Sequence, residues 1–283
     1  MEEADAVILD LEDSVPFGEK EAARKIVRSY LRKFRSNSVS TFVRINSAQS
    51  GLLAADIKGV SSQYLDGVVL PKTESKKDIE ELEKILESVQ PRSKRTCIVP
   101  LIETPKGLVR VDDIAAASDR IAAIGFGAGD YLREMGAGFA INRVSPEEYF
   151  PSILYARSKI AIAARSLGIQ AVDTPFFGPI GDLEGLTLEA RRSRLLGYSG
   201  KMLIHPTQIR LTNSVFSPSK EEVVYAKKMI QVYKEAESRG VGAVRFEDRM
   251  IDYPMYLIGV ELLAKAGAIA KRRKRPSAKE IDY

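Results

Sequence analysis

A few charged side chains at the ends of short apolar runs give this sequence its chemistry. In TFVRIN, Phe42, Arg44 and Asn46 alternate, so a strand period of two puts them on one face. A buried strand carries an arginine and an amide on one face when that face looks into a polar pocket. Arg44 then suits an anion, either a carboxylate or an oxygen that gains charge during reaction, because a guanidinium presents a fixed fork of donors. The alternative is a strand-end arginine paired with a neighbouring carboxylate. In CIVPLIE the same period aligns Val99, Leu101 and Glu103 and brings the carboxylate out at the strand end, and Asp130 closes the next run, IAAIGFGAGD. Two carboxylates from adjacent strand ends, with few other ligands nearby, suit Mg²⁺, which prefers oxygen and keeps positions for water or substrate. The other reading of this pair is helix capping beside arginine partners. Zinc is disfavoured by a single histidine and a single cysteine, Cys97, placed at the start of its strand.

Further groups reach the same level of the chain. Glu12 and Asp13 follow VILDL, with Asp10 on the face of Glu12; they either order metal-bound waters or pair with lysine and arginine across the rim. Lys72 in LPK, Asp173 in AVDT and His205 in LIHP are read as supporting or structural, and neither Lys72 nor His205 is assigned as a base. Gly125, Gly127 and Gly129 do not form a dinucleotide loop: GxGxxG would need its third glycine at Asp130 or Leu132. Small residues there suit a close approach of backbone to a metal or substrate.

The elements that must position these groups are legible. Seven apolar runs, AVILDLED, TFVRIN, GVVLPK, CIVPLIE, IAAIGFGAGD, IQAVDT and KMLIHP, each deliver a polar or charged residue at or just past the C-terminal end. Strands buried on both faces read this way in a parallel β/α barrel, and the loops that follow them build the active-site rim. Helices alternate with the runs. Ser75 with Asp78 opens one that reaches about Val89, and Thr104–Pro105 opens another directly after Glu103. Ser145, with Pro146 and Glu148, starts a helix that stops at Gly168, and Ser219 with Glu222 starts one that stops at Gly240. After a connection, GAVRFEDRM, Asp252 stands as an N-cap with Pro254 in the first turn of a last apolar helix reaching about Ala270. The expected division is a β/α barrel over residues 1–216 and a helical extension over 217–283.

Composition excludes several classes. The chain has 283 residues, 45% of them hydrophobic, which is enough for one large core. No apolar run approaches a membrane span, no signal peptide is visible, and the lone cysteine allows no internal disulfide, so a cytoplasmic setting is expected. The net charge of +5 is mild, and Lys271–Arg275 reads as a solvated tail rather than a nucleic-acid contact.

In order along the chain, ILDLEDSV, FVRIN, GVVLPK, PLIETPKGL, IGFGAGD, KMLIHPTQI and MIDYP resemble the citrate lyase β-subunit-like branch of the HpcH/HpaI aldolase superfamily, which includes malyl-CoA and citramalyl-CoA lyases. The resemblance covers nearly the whole chain. It implies a (β/α)8-type barrel with Mg²⁺ on Glu103 and Asp130 and with Arg44 at the reacting oxygens. Beside what the resemblance implies, Arg44, Glu12, Asp13, Lys72 and Glu103 are expected to contact the substrate from the strand ends. The C-terminal segment becomes a lid, and the Asp of its MID-type motif falls on Asp252, chosen here as the proton-transfer base, with Asp248 and Glu247 close enough to compete. The assembly becomes a homotrimer or a multiple of it. The implied reaction is Mg²⁺-dependent and interconverts a malyl-, citramalyl- or citryl-CoA thioester with acetyl-CoA and an α-keto acid. Two alternatives stand beside it: a β subunit acting on a citryl group held by an acyl-carrier partner, and a non-catalytic scaffold. Members of the family begin with a further strand, ending in a Pro-Gly turn, and a helix; here the LDLED run follows Met1 closely, so seven strands are expected where a barrel has eight.

Overall fold

The computed structural model describes residues 4–34, 39–91, 95–137 and 146–273. The chain forms two compact units, Met1–Thr212 and Asn213–Tyr283.

In the first unit six of the apolar runs become parallel strands and the seventh, KMLIHP, contributes only its first residue: β1 (Ala6–Asp10), β2 (Ser40–Arg44), β3 (Gly67–Leu70), β4 (Cys97–Ile102), β5 (Ala123–Phe126), β6 (Gln170–Asp173) and β7 (Gly200–Lys201). They pair strictly in chain order, giving a curled, open β/α barrel of seven strands. The helices between them are α1 (Lys20–Phe34), α2 (Leu53–Val60), α3 (Lys76–Val89), α4 (Pro105–Val109), α5 (Val111–Ala115), α6 (Ala128–Glu134), α7 (Pro146–Ser166) and α8 (Leu183–Leu195). Parallel strands buried on both faces need residues that are apolar on both faces. Accordingly, Val43, Val68, Leu70, Ile98, Ile102, Ile124 and Phe126 are fully or almost fully buried, each contributing roughly 1.5–3 kcal/mol by leaving water.

The expected caps form at three helices. Ser75 and Asp78 make a reciprocal capping box on α3, and Thr104 Oγ1 accepts from Gly107 N at 3.0 Å on α4. Ser219 and Glu222 do the same on α10 (Lys220–Glu237), and the chain leaves it through Gly240, whose φ of 78° suits only a residue without a Cβ. The expected cap at Ser145 and the end of the basic run, beyond Arg273, lie outside the described residues.

Two strand expectations need correction. β1 is not buried on both faces, since Ile8 is 42% exposed and β1 pairs only with β2. The KMLIHP run is not a full strand. β7 ends at Lys201, and Ile204 is exposed, because the side chain of Lys201 is drawn into a buried ion network and the chain turns away after Met202 N bonds to Asp173 O.

α9 (Ile209–Phe216) spans the division between the units. The second unit contains α10, a hairpin of β8 (Ala243–Phe246) and β9 (Arg249–Asp252), and α11 (Tyr253–Arg273). The hairpin replaces the expected connection: Arg245 pairs with Met250 and Phe246 with Arg249. Its turn places Glu247 at φ 51°, a conformation usually left to glycine or asparagine. Met229, Tyr233 and Ile251 form its core, with Tyr225, Val244, Phe246 and Tyr256 packed around them. No helix among the described residues is long and apolar enough to cross a membrane.

Candidate active site

The strand ends place Asp10 and Arg44 directly opposite each other, at the last paired positions of β1 and β2. Arg44 donates from Nε to Asp10 Oδ1 at 2.7 Å and from Nη2 to Asp10 Oδ2 at 2.6 Å, a two-pronged pair. The same carboxylate accepts from Glu12 N at 2.9 Å and from Ser14 Oγ at 2.6 Å, which folds the LEDS loop back over the strand end. Burial alone would raise the Asp10 carboxyl, but the bonds from Arg44 and Ser14 outweigh it and hold the group well below the usual carboxylate range. Arg44 stays fully cationic for the matching reason. Its third nitrogen, Nη1, lies 3.0 Å from Glu12 Oε2 and 3.8 Å from Asp13 Oδ2. The Glu12 oxygen is buried and has no aligned hydrogen bond, so this is a charge contact with room for another partner.

Lys72 leaves β3 through a turn at φ 48°, strained for a side chain of this size. That turn lets one residue serve two carboxylates. Its backbone N–H donates to Glu103 Oε1 at 2.7 Å, and its ammonium bonds to Glu12 Oε1 and lies 3.8 Å from Asp130 Oδ2. Burial by itself would lower the Lys72 ammonium, and the Glu12 carboxylate more than reverses this, so its pKa is raised.

Glu103 is almost wholly buried at the end of β4. Burial first, and then the negative charges of Glu12 and Asp130, push its carboxyl up to about 8, against the pull of the Lys72 N–H and ammonium. Glu12 is likewise raised, chiefly by burial. The carboxylate of Glu103 lies against the backbone at Gly127, where an added Cβ would stand 2.4 Å from Oε2. The glycine therefore makes room for Glu103 itself. Asp130 follows in the first turn of α6 and pairs with Arg133, which is exposed and shared with Glu134.

Five carboxylates, Asp10, Glu12, Asp13, Glu103 and Asp130, thus share two dedicated cations, Arg44 and Lys72. Such an excess is costly in a partly buried site unless a further cation or protons offset it. All its donors are oxygens, which fits Mg²⁺. Among the described residues no three His, Cys, Asp or Glu side chains are arranged to hold a metal ion together. Glu103 and Asp130 would then hold it as a pair, with water and substrate completing the shell. A cleft of about 490 Å³ opens beside Glu12 and Asp13 and is lined also by Phe17, Lys20, Asn46 and Leu52.

The structure brings Arg44, Glu12, Asp13, Lys72, Glu103 and Asp130 into this one cluster, and the remaining expected residues have partners of their own. Asn46 lies beyond the end of β2, so the strand period no longer governs it. Its Nδ2 donates to Asp56 Oδ2 at 2.7 Å and to Leu11 O at 3.1 Å, in a buried network that includes Arg24. Asp173 is fully buried and receives Arg157 at 2.9 and 3.1 Å, Ser193 at 2.5 Å and Lys201 at 3.0 Å. His205 caps a short turn, with Nδ1 2.8 Å from Thr207 Oγ1. Asp252, in the second unit, ends β9 and caps α11, Oδ1 accepting from Met255 N at 3.2 Å. Sequence reasoning did not single out Asp10 as the anchor of Arg44, although its place at the end of the neighbouring strand was a usable signal. It also missed the buried quartet of Arg157, Asp173, Glu189 and Lys201, for which no local pattern exists.

Comparisons with known proteins identify the family of this chain. The family model for HpcH/HpaI aldolase/citrate lyase matches residues 1–206. Citrate lyase subunit beta of Haemophilus influenzae is 35% identical over 255 residues, covering 89% of this chain and 85% of that protein. The L-malyl-CoA/beta-methylmalyl-CoA lyase of Rhodobacter capsulatus is 31% identical over 265 residues, covering 88% and 83%. The crystal structure of protein CitE from Mycobacterium tuberculosis, in complex with magnesium, acetoacetate and coenzyme A, superposes with a TM-score of 0.75 at 30% identity, covering 94% of this chain and 91% of that one. The chain belongs to the HpcH/HpaI aldolase/citrate lyase family and is an enzyme of the lyase kind that the family's name describes.

Proposed function

We propose that this enzyme is Mg²⁺-dependent and interconverts a 3-hydroxy dicarboxylic acyl-CoA thioester, of the malyl, citramalyl or citryl type, with acetyl-CoA and an α-keto acid. The observation that carries this reading is the carboxylate excess around buried Glu103, at a strand end where a family of thioester lyases has relatives and a magnesium- and coenzyme A-bound structural neighbour. Glu103 and Asp130 would hold the ion. Bound there, Mg²⁺ supplies Lewis-acid polarisation of the keto-acid carbonyl.

The other steps belong to the chain's own residues. Arg44, locked by Asp10, keeps its charge fixed and meets the oxygen that gains charge as the carbon–carbon bond forms or breaks; a preorganised cation is more effective than a mobile one because it needs no reorientation. Glu12, Asp13 and Lys72 orient the acid end of the substrate beside the cleft. In the synthetic direction Asp252 removes a proton from the acetyl carbon, and in the cleavage direction it returns one. This role rests on the family resemblance of the MIDYP segment. The same resemblance carries the readings of residues 217–283 as a lid on the 1–216 barrel and of a homotrimer, and composition carries that of a cytoplasmic setting. The 35% identity to a citrate lyase β subunit supports a second reading, a citryl group presented on an acyl-carrier partner. The scaffold alternative leaves the carboxylate excess without a purpose.

Purified protein incubated with Mg²⁺ and each CoA thioester, with keto-acid release followed, tests the proposal. Turnover of free CoA thioesters supports the first reading, and turnover only with an added carrier supports the second. If no thioester is cleaved either way, the lyase substrate assignment fails.

A further inference from the structure

The start of α6, whose first turn carries Asp130, is held at two successive residues from outside the helix. Gly127 N donates to Ile102 O at 2.9 Å, tying the turn to the end of β4 beside Glu103. Ala128 N is buried at the start of the helix, where no carbonyl of a preceding turn is available. It donates instead to Thr174 Oγ1 at 3.2 Å. Thr174 is itself fixed: it is 1% exposed, and its carbonyl accepts from Lys201 Nζ at 2.6 Å. Lys201 is bound in turn to Asp173 and Glu189, in the fully buried quartet with Arg157.

We infer that Thr174 is a positioning residue: its hydroxyl sets the start of α6 and so aims Asp130 at the site shared with Glu103, with the buried quartet as the rigid support behind it. A pair of protein ligands leaves little redundancy, so a small change in the aim of one carboxylate reaches the bound ion directly. The inference rests on the reading of Asp130 as a Mg²⁺ ligand.

The test is calorimetric titration of Mg²⁺ alone into the full chain, for the wild type and for T174V, T174S, T174A and D130N, with the melting temperature of each recorded. T174V keeps the shape but removes the acceptor. It is expected to weaken Mg²⁺ binding about tenfold while remaining folded, whereas T174S, which keeps the hydroxyl, stays within about twofold of the wild type by the same reasoning. Should T174V fail to fold, T174A carries the same expectation, because it also lacks the hydroxyl. Wild-type affinity in the variant lacking the hydroxyl, or a loss in T174S equal to that in T174V, overturns the inference. D130N separates the two levels: if it binds Mg²⁺ like the wild type, the metal role of Asp130 falls and the inference with it. Loss in D130N with full binding in T174V overturns the inference alone.

Discussion

The two charged clusters of the barrel use the same residue types to opposite ends. The quartet of Arg157, Asp173, Glu189 and Lys201 balances two cations against two carboxylates, and all four side chains are fully buried. Burial with balanced charge demands good geometry, and each member depends on the others for its solvation. The rim cluster instead sets five carboxylates against Arg44 and Lys72, is partly open to solvent, and pushes the Glu103 carboxyl up to about 8 by burial and repulsion. A balanced cluster suits a structural role, and the unbalanced one fits the Mg²⁺ proposed above.

If this contrast is right, the two clusters respond differently to the loss of one carboxylate. The largest effect is expected at Asp173→Asn, which leaves two buried cations short of a partner and should lower unfolding free energy by about 3–5 kcal/mol, read by chemical denaturation. Stability little changed in that variant would erase the distinction. Glu103→Gln should cost roughly a thousandfold in turnover, since a metal site is worth several kcal/mol to the reaction. Its stability should not fall, and the sign follows from the raised carboxyl. Glu103 prefers its proton in the folded state, from an ordinary value of 4.5 up to about 8, so its ionisation works against folding as pH rises through that window. Glutamine removes the penalty, and the variant should match or exceed the wild type in denaturation at pH 8 and above.

Asp10→Asn tests the anchor of Arg44. With one prong of the charged pair weakened, turnover should fall by roughly tenfold to a hundredfold, the equivalent of about 1.5–3 kcal/mol for a hydrogen bond to a charged group. The cost should appear in kcat more than in thermal stability. The smallest effect is expected at Arg133→Ala. Its partner is Asp130, but the arginine is 62% exposed, so stability should move by no more than about 0.5 kcal/mol and turnover by less than twofold. A large loss there would mean that Arg133 belongs to the reaction centre.

Much of this was legible in the chain because the relevant signals are local. The apolar runs marked all seven strands, and Ser75, Thr104 and Ser219 marked helix starts, since capping needs residue types at fixed offsets. The rim residues could be named because strand ends deliver them. What escaped depends on distance or on strain. The quartet joins four ordinary residues from α7, β6, α8 and β7, and nothing in the spacing of Arg157 or Glu189 announces it. The β8–β9 hairpin carries glutamate at its positive-φ position rather than a glycine or asparagine, so GAVRFEDRM lacked the usual turn signal. Asn46 lines the cleft beside Glu12 and Asp13, but it lies past β2, which ends at Arg44, so its place there does not come from the strand period.

The central claim is that the rim cluster awaits a divalent cation held by Glu103. Titrating Mg²⁺ into the wild type and Glu103→Gln at pH 7, in two buffers of different ionisation enthalpy, tests it most directly. The account predicts saturable binding to the wild type with release of close to one proton, because Glu103 must ionise to bind, and no measurable binding to the variant. Equal binding by the two proteins would contradict it.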